Sequence, residues 1–152
     1  MNPKKIVAAF TLFLIISSLT AINACNERNE TVSCFPNSVI SVQLNLNLPN
    51  YYKLQTVGSW VYVNEVGAGT NGLIVYRASS GFMIYDRNAP HICPESDTVL
   101  EVKDGTKVIC PHDGAEWFLT TGQPLNSTAK TALKTYRSYS YDANSNVLSI
   151  YN

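Results

Sequence analysis

From Ile40 onward the chain alternates. Ile40, Val42, Leu44, Leu46 and Leu48 are apolar, and Ser41, Gln43, Asn45 and Asn47 between them are polar. A strict period of two sends successive side chains to opposite faces of an extended strand, so the pattern predicts a strand with one dry and one wet face. Pro49-Asn50 ends it. Shorter runs follow: Trp60 to Val63, Leu73 to Tyr76, Phe82 to Tyr85, Thr98 to Lys103, Thr106 to Cys110, Trp117 to Leu119, Leu133 to Tyr141 and Val147 to Tyr151. Ala78-Ser79-Ser80-Gly81 and Asp104-Gly105 lie between adjacent runs and predict two hairpins, Asp-Gly being a favoured hairpin turn because both residues tolerate positive φ. No twelve-residue stretch carries a capped helical stripe. The expected fold is all-β, an antiparallel sandwich or barrel. Leu44, Leu46, Trp60, Val75, Val108 and Leu119 are expected in or near its core, with no helix longer than about three turns.

The first residues follow a different rule. Lys4 and Lys5 precede an apolar run from Ile6 to Leu19, broken only by Thr11, Ser17 and Ser18. Its 14 residues fall short of the roughly 18–20 needed to span a bilayer. A basic start, a short apolar run and a small-residue end make a secretory signal peptide. The end reads Ile22-Asn23-Ala24 and is followed at once by Cys25. This junction resembles the lipobox of bacterial lipoproteins, although Asn23 stands where a smaller residue is usual. The resemblance implies that Cys25 is acylated, so that a lipid and not a transmembrane helix holds the chain on a membrane; plain cleavage after Ala24 is the alternative. The expected organisation is a signal peptide over 1–24, a lipidated tether over 25–38 and one β domain over 39–152. The protein is then exported, to the periplasm or outer membrane.

Composition narrows the functions. Without Lys4 and Lys5, nine basic residues face eleven acidic ones, a net charge of −2. A near-neutral chain lacks the basic surface that nucleic-acid binding demands. Asn29-Glu30-Thr31 and Asn126-Ser127-Thr128 fit the N-glycosylation pattern, which a bacterial lipoprotein would rarely use. Tyr136, Tyr139 and Tyr141 read as a strand surface. Gly67-x-Gly69 lacks a strand–helix context and reads as a turn. Neither histidine sits in a nucleophile motif, so no catalytic residue and no enzymatic activity are expected.

Candidate chemistry is concentrated between Asp86 and Trp117. His91 and Cys93 lie before the Asp104-Gly105 hairpin, and Cys110 and His112 lie after it. Pairing around Asp104-Gly105 would set Val99 opposite Cys110, bringing both Cys/His pairs to one end of a sheet. Thiolates and imidazoles on neighbouring loops are the ligand set of zinc or an iron–sulfur cluster.

The segment resembles a Rieske domain, an all-β fold that holds a [2Fe–2S] cluster on two loops through two Cys and two His. Cys110-Pro111-x-x-Gly114 with Trp117 matches that family's second loop, and Asp86-Arg87-Asn88 matches the lead-in to its first. The resemblance spans roughly residues 57–152. It implies a Rieske-like antiparallel β fold with a two-loop, cluster-binding type of subregion. The ligands depart from it. The family carries Cys-x-His and then Cys-x-x-His, whereas this chain carries His-x-Cys and Cys-x-His. Asp113 occupies the second His position and Ala89 the first Cys position, so Cys110 and His91 alone carry over.

Three readings of His91, Cys93, Cys110 and His112 therefore stand. Cys93 and Cys110 form a disulfide, in keeping with an oxidising compartment, or stay as bare thiols. Alternatively the four side chains hold a [2Fe–2S] cluster, or they hold zinc. Cys34 is left over, and would pair with Cys25 if Cys25 carries no lipid. The preferred expectation is a domain with no cofactor, which has lost the standard ligand set and serves as a binding or structural module of the envelope. The rival is an electron-transfer protein with a redox partner.

Overall fold

The computed structural model describes residues 31–152. The expected signal peptide over 1–24, Cys25 and Asn29 lie outside these residues. The architecture is antiparallel throughout: three sheets of three strands each, with a single 3₁₀ turn at Tyr52–Gln55 as the helical element among the described residues.

The first sheet joins the two ends of the domain. Strand β1 (Ser41–Asn45) pairs with β9 (Val147–Tyr151), and β9 pairs with β8 (Tyr139–Asp142). Val42, Leu44 and Leu46 are buried and the polar residues between them are exposed, so the alternation decides the face as expected. Leu48 departs from it, 51% exposed, because the ladder ends at Asn45 and the chain turns before the period reaches Leu48.

The second sheet is β2 (Trp60–Val63), β3 (Leu73–Ala78) and β4 (Gly81–Asp86). It is the middle layer. Val61, Val63, Val75 and Ile84 pack with Leu44, Leu148 and Ile150 of the first sheet. Ile74 and Tyr85 point the other way, into a second cluster with Leu100, Val108, Trp117 and Leu119. Burial on both faces explains why Leu73 to Val75 shows no alternation.

The third sheet is β5 (Glu101–Lys103), β6 (Lys107–Ile109) and β7 (Glu116–Phe118). It differs from the expected hairpin by one residue. Lys103 pairs with Lys107 and Glu101 with Ile109, which sets Leu100, not Val99, level with Cys110. The cause is a three-residue connection, Asp104 to Thr106, with φ of 54° at Asp104 and 66° at Gly105. Val99 instead bridges to Asn88.

Of the six predicted core residues, Leu44, Leu46, Val75, Val108 and Leu119 are buried, and Trp60 packs half-buried against the second cluster. Tyr136 is a correction. It is buried and donates its hydroxyl to Asp86 at 2.7 Å, so it belongs to the interior and not to a strand surface. The stretch read as a strand from Leu133 is irregular up to Ser138, with Thr135 bridging to Tyr85 on the way.

Candidate functional site

Two loops meet at one end of the third sheet. The first runs from Asp86 to Thr98, the second from Cys110 to Ala115. Asp86 is buried and organises the first loop. Its Oδ1 accepts from the Asn88 backbone N–H and from Asn88 Nδ2, both at 2.7 Å, while its Oδ2 accepts from Tyr136. Asn88 donates to Thr70 Oγ1 at 2.9 Å and accepts from Asn71 Nδ2 at 2.7 Å. Arg87 lies over the Tyr62 ring, 4.1 Å from its centroid, and donates to the Asn64 side chain and the Leu100 carbonyl. A buried carboxylate that accepts on both oxygens, from three donors, holds its surroundings in a single arrangement.

The second loop is closed on itself. The N–H of Cys110 donates to Ala115 O and that of Gly114 to Cys110 O, each at 2.9 Å. Gly114 takes the left-handed conformation, φ 71°, which glycine adopts without steric cost. Asn126 props the loop from outside. Its Nδ2 donates to Gly114 O at 2.8 Å, and its Oδ1 accepts the N–H groups of Glu116 and Ala129. The glycosylation-like triplet thus has a local structural use at Asn126.

Across the gap His91 Nε2 donates to Asp113 Oδ2 at 2.7 Å. The His91 side chain is 4% exposed and packs edge-to-face with Trp117, ring centroids 5.3 Å apart. Its Nδ1 is buried without a partner. Burial pushes the Asp113 carboxyl up, but hydrogen bonds from His91 and the Ala115 N–H, with the neighbouring Cys110 thiol, outweigh it and leave the group below the ordinary carboxylate value. Cys110 is a free thiol with no exposure, and burial raises its pKa. A thiol so placed resists forming the thiolate that metals bind.

The cysteine pairing differs from the expected one. Cys93 is bonded to Cys34, with Cα atoms 5.5 Å apart, and not to Cys110; a Cys25–Cys34 bond is likewise ruled out by this pairing. Cys34 reaches the first loop because the preceding chain is fixed there: the Val32 N–H donates to Pro90 O at 2.9 Å. At least the Val32–Cys34 part of the stretch read as a tether is therefore strapped to the domain. His112 points elsewhere. It is exposed and its Nδ1 meets Asp97 Oδ2 at 2.7 Å. That hydrogen bond raises the pKa of His112 and lowers that of Asp97.

The four residues named from sequence thus divide among a cross-loop pair (His91), a disulfide (Cys93), a buried thiol (Cys110) and a surface pair (His112). No group of three or more His, Cys, Asp or Glu side chains able to hold a metal ion occurs among the described residues. A [2Fe–2S] centre of this kind requires two thiolates on one iron and two imidazoles on the other. With Cys93 in a disulfide the loops offer one thiol, and the residues present do not fit the cluster.

No family model matches the sequence, and no curated protein matches it. Solved structures do align with the fold. The ferredoxin of carbazole 1,9a-dioxygenase from Nocardioides aromaticivorans IC177 is 14% identical, with a TM-score of 0.42 over 74% of this chain and 96% of its own. A chain from the complex of reduced oxygenase and oxidized ferredoxin in carbazole 1,9a-dioxygenase is 21% identical, with a TM-score of 0.43 over 76% of this chain and 94% of its own. The terminal oxygenase from Novosphingobium sp. KA1 is 15% identical, with a TM-score of 0.44 over 84% of this chain but only 32% of its own. With every one of these TM-scores below 0.5, the chemistry of the two loops rests on the geometry of this chain.

Proposed function

We propose that this protein is an exported lipoprotein, acylated at Cys25, whose Rieske-like domain has exchanged its cluster ligands for contacts within the chain and serves the envelope as a binding or structural module. The observation that carries this reading is the 2.7 Å hydrogen bond between His91 and Asp113. Those are the two positions at which the sequence resemblance places imidazole ligands. A carboxylate supplies a hard oxygen poorly matched to a sulfide cluster. Here it joins the loops directly and occupies the one imidazole nitrogen that has a partner. The Cys34–Cys93 bond ties the first loop to the N-terminal strap, which closes the site further.

An electron-transfer role is the second reading. The free Cys110 thiol and the unpartnered Nδ1 of His91 are the observations in its favour. Metal analysis and a visible spectrum decide between the two, on the full chain made in cells able to assemble clusters. The proposed function expects a colourless protein with less than about 0.1 iron per chain; a brown protein with two irons per chain would overturn it. For the anchor, Cys25→Ser should release the domain from membranes. Retention of that variant would remove the lipid from the proposal while leaving the domain's role untouched.

A further inference from the structure

Strand β2 is an edge strand, and its open side forms the floor of a groove. In the sheet β2–β3–β4, the outer side of β4 is covered: Asp86 N–H donates to Lys134 O and Tyr136 N–H to Ile84 O. The outer side of β2 has no such cover among the described residues. A cavity of about 730 Å³ lies against it, lined by β2 together with Pro49, Tyr51, Lys53, Glu65 and Gly105.

The ladder fixes which backbone groups face this cavity. Gly58 N–H donates to Arg77 O, and Arg77 N–H donates to Ser59 O. With φ of 89° at Gly58, this is a bulge of the kind that starts with a left-handed glycine. Arg77 thus bonds toward β2, and so do Val75 and Leu73, two and four residues before it. Gly72 O accepts from Arg87 N–H, which shows that the even-numbered residues of β3 bond toward β4. Val75 and Leu73 pair with Val61 and Val63. The N–H and C=O groups of Trp60 and Tyr62 therefore point away from β3 into the groove, and neither residue's backbone has another partner among the described residues.

We infer that this groove binds an extended peptide segment of a partner protein as an added strand on β2, with an acidic side chain of that segment facing Lys53. Main-chain pairing to an exposed sheet edge is a recurring mode of peptide capture, in which the ladder supplies affinity and flanking side chains supply selectivity. Two residues' worth of unpaired donors and acceptors, spaced two apart, match an extended backbone and no other common ligand. Lys53 makes no ion pair among the described residues, whereas Glu65, which also lines the groove, accepts a hydrogen bond from the Tyr51 hydroxyl. Lys53 is thus the cation without a carboxylate partner that is left to meet an acidic side chain of the segment. A saccharide would need an open aromatic face. The Tyr62 ring is covered by Arg87 on one side and packs edge-to-face with Trp60 at 4.9 Å. The inference does not depend on what the two loops hold.

The test uses the full-length chain and a set of acetylated, amidated hexapeptides with β-branched residues at alternate positions and one aspartate. Amide hydrogen exchange should slow at Trp60 and Tyr62 by at least tenfold when peptide is added, with Val61 and Val63 already protected in the free protein. N-methylation of every peptide residue removes the donors and should weaken binding more than tenfold. Lys53→Glu should weaken the aspartate peptides severalfold and leave their asparagine counterparts unchanged. The inference is overturned if no peptide protects Trp60 and Tyr62 at millimolar concentration, or if the N-methylated set binds equally well. It is also overturned if oligosaccharides give the same protection, or if the two amides are protected in concentrated protein alone, which would assign the edge to a second copy of this chain.

Discussion

Asp86 is 1% exposed, and three donors converge on it: two from Asn88 and one from Tyr136. Asp86→Ala strands those donors in the interior, and an unsatisfied buried polar group costs about 1–3 kcal/mol. The expected loss is at least that much in a urea titration, with loosened exchange of the Asn88 amide. A loss below about 0.5 kcal/mol would show that water replaces the carboxylate freely. At the surface, His112 and Asp97 stabilise each other's charged forms. The histidine pKa is raised on folding, so its contribution is full below its unfolded value and disappears as pH rises through the folded one. The aspartate pKa is lowered, so its contribution is lost as pH falls through the folded value. The window therefore lies between the two, in mildly acidic solution. NMR titration should place the His112 ring above the usual 6.5, and Asp97→Asn should bring it back down. Sequence reading found Cys110, His91 and the Asp113 position because motif spacing survives as text. It missed Asn126 as the prop of the second loop and Tyr136 as the partner of Asp86, since both act through contacts distant along the chain. The signal for the Asp86 network was the Asp86-Arg87-Asn88 lead-in, whose purpose only the burial of Asp86 reveals.

At the scale of elements, alternation was legible wherever one face of a strand is wet. The predicted bounds of Trp60–Val63 and Val147–Tyr151 coincide with β2 and β9. Where both faces are covered, as at Leu73 to Val75, the strand was still legible from its apolar run and its pairing with β4 from the Ala78-Ser79-Ser80-Gly81 turn, but its second partner, β2, was not. The Asp104-Gly105 hairpin was found and its register missed by one, because loop length and not turn composition sets the pairing. The hairpin joining β2 to β3 depends on Gly72. A Cβ there would lie 2.5 Å from the Val63 carbonyl oxygen, and φ is 82°. Gly72→Ala combines a left-handed backbone with a clash, so it should destabilise by more than about 1 kcal/mol. Chemical denaturation measures it, and a neutral outcome would mean that the hairpin relaxes without disturbing β2. The β7 strand carries the largest single side chain of the second cluster. Trp117 is fully buried, and its Nε1 donates to Thr131 O at 2.7 Å. Trp117→Ala should cost about 3–5 kcal/mol and remove the ring against which His91 packs.

Over the whole molecule, two apolar clusters lie on opposite faces of the β2–β3–β4 sheet, and the covalent clamp lies apart from both, between the N-terminal strap and the first loop. The Cys34–Cys93 bond closes a segment with a sequence separation of 59. In the chain-entropy view, constraining an unfolded loop of that size contributes about 4 kcal/mol, within a measured range of roughly 2–5 kcal/mol for native bonds. That is a large share of the roughly 5–15 kcal/mol that holds an ordinary domain folded. Because neither cluster contains Cys34 or Cys93, a chain lacking the bond should still fold, with a lower midpoint in urea and faster exchange at the Val32 amide. Single variants sharpen the prediction. Cys34→Ser and Cys93→Ser should each lose about the same amount, and the double variant should lose no more than either, since one bond is removed in every case. Had Cys93 paired with Cys110, Cys34→Ser would be nearly silent and Cys110→Ser would match Cys93→Ser. Thiol counting in denaturant gives an independent reading: Cys110 titrates as a free thiol, and Cys34 and Cys93 do so only after reduction. A stability change that follows Cys110 rather than Cys34 would overturn the pairing, reopen the site between the two loops, and return Cys34 to the tether in which the sequence alone had placed it.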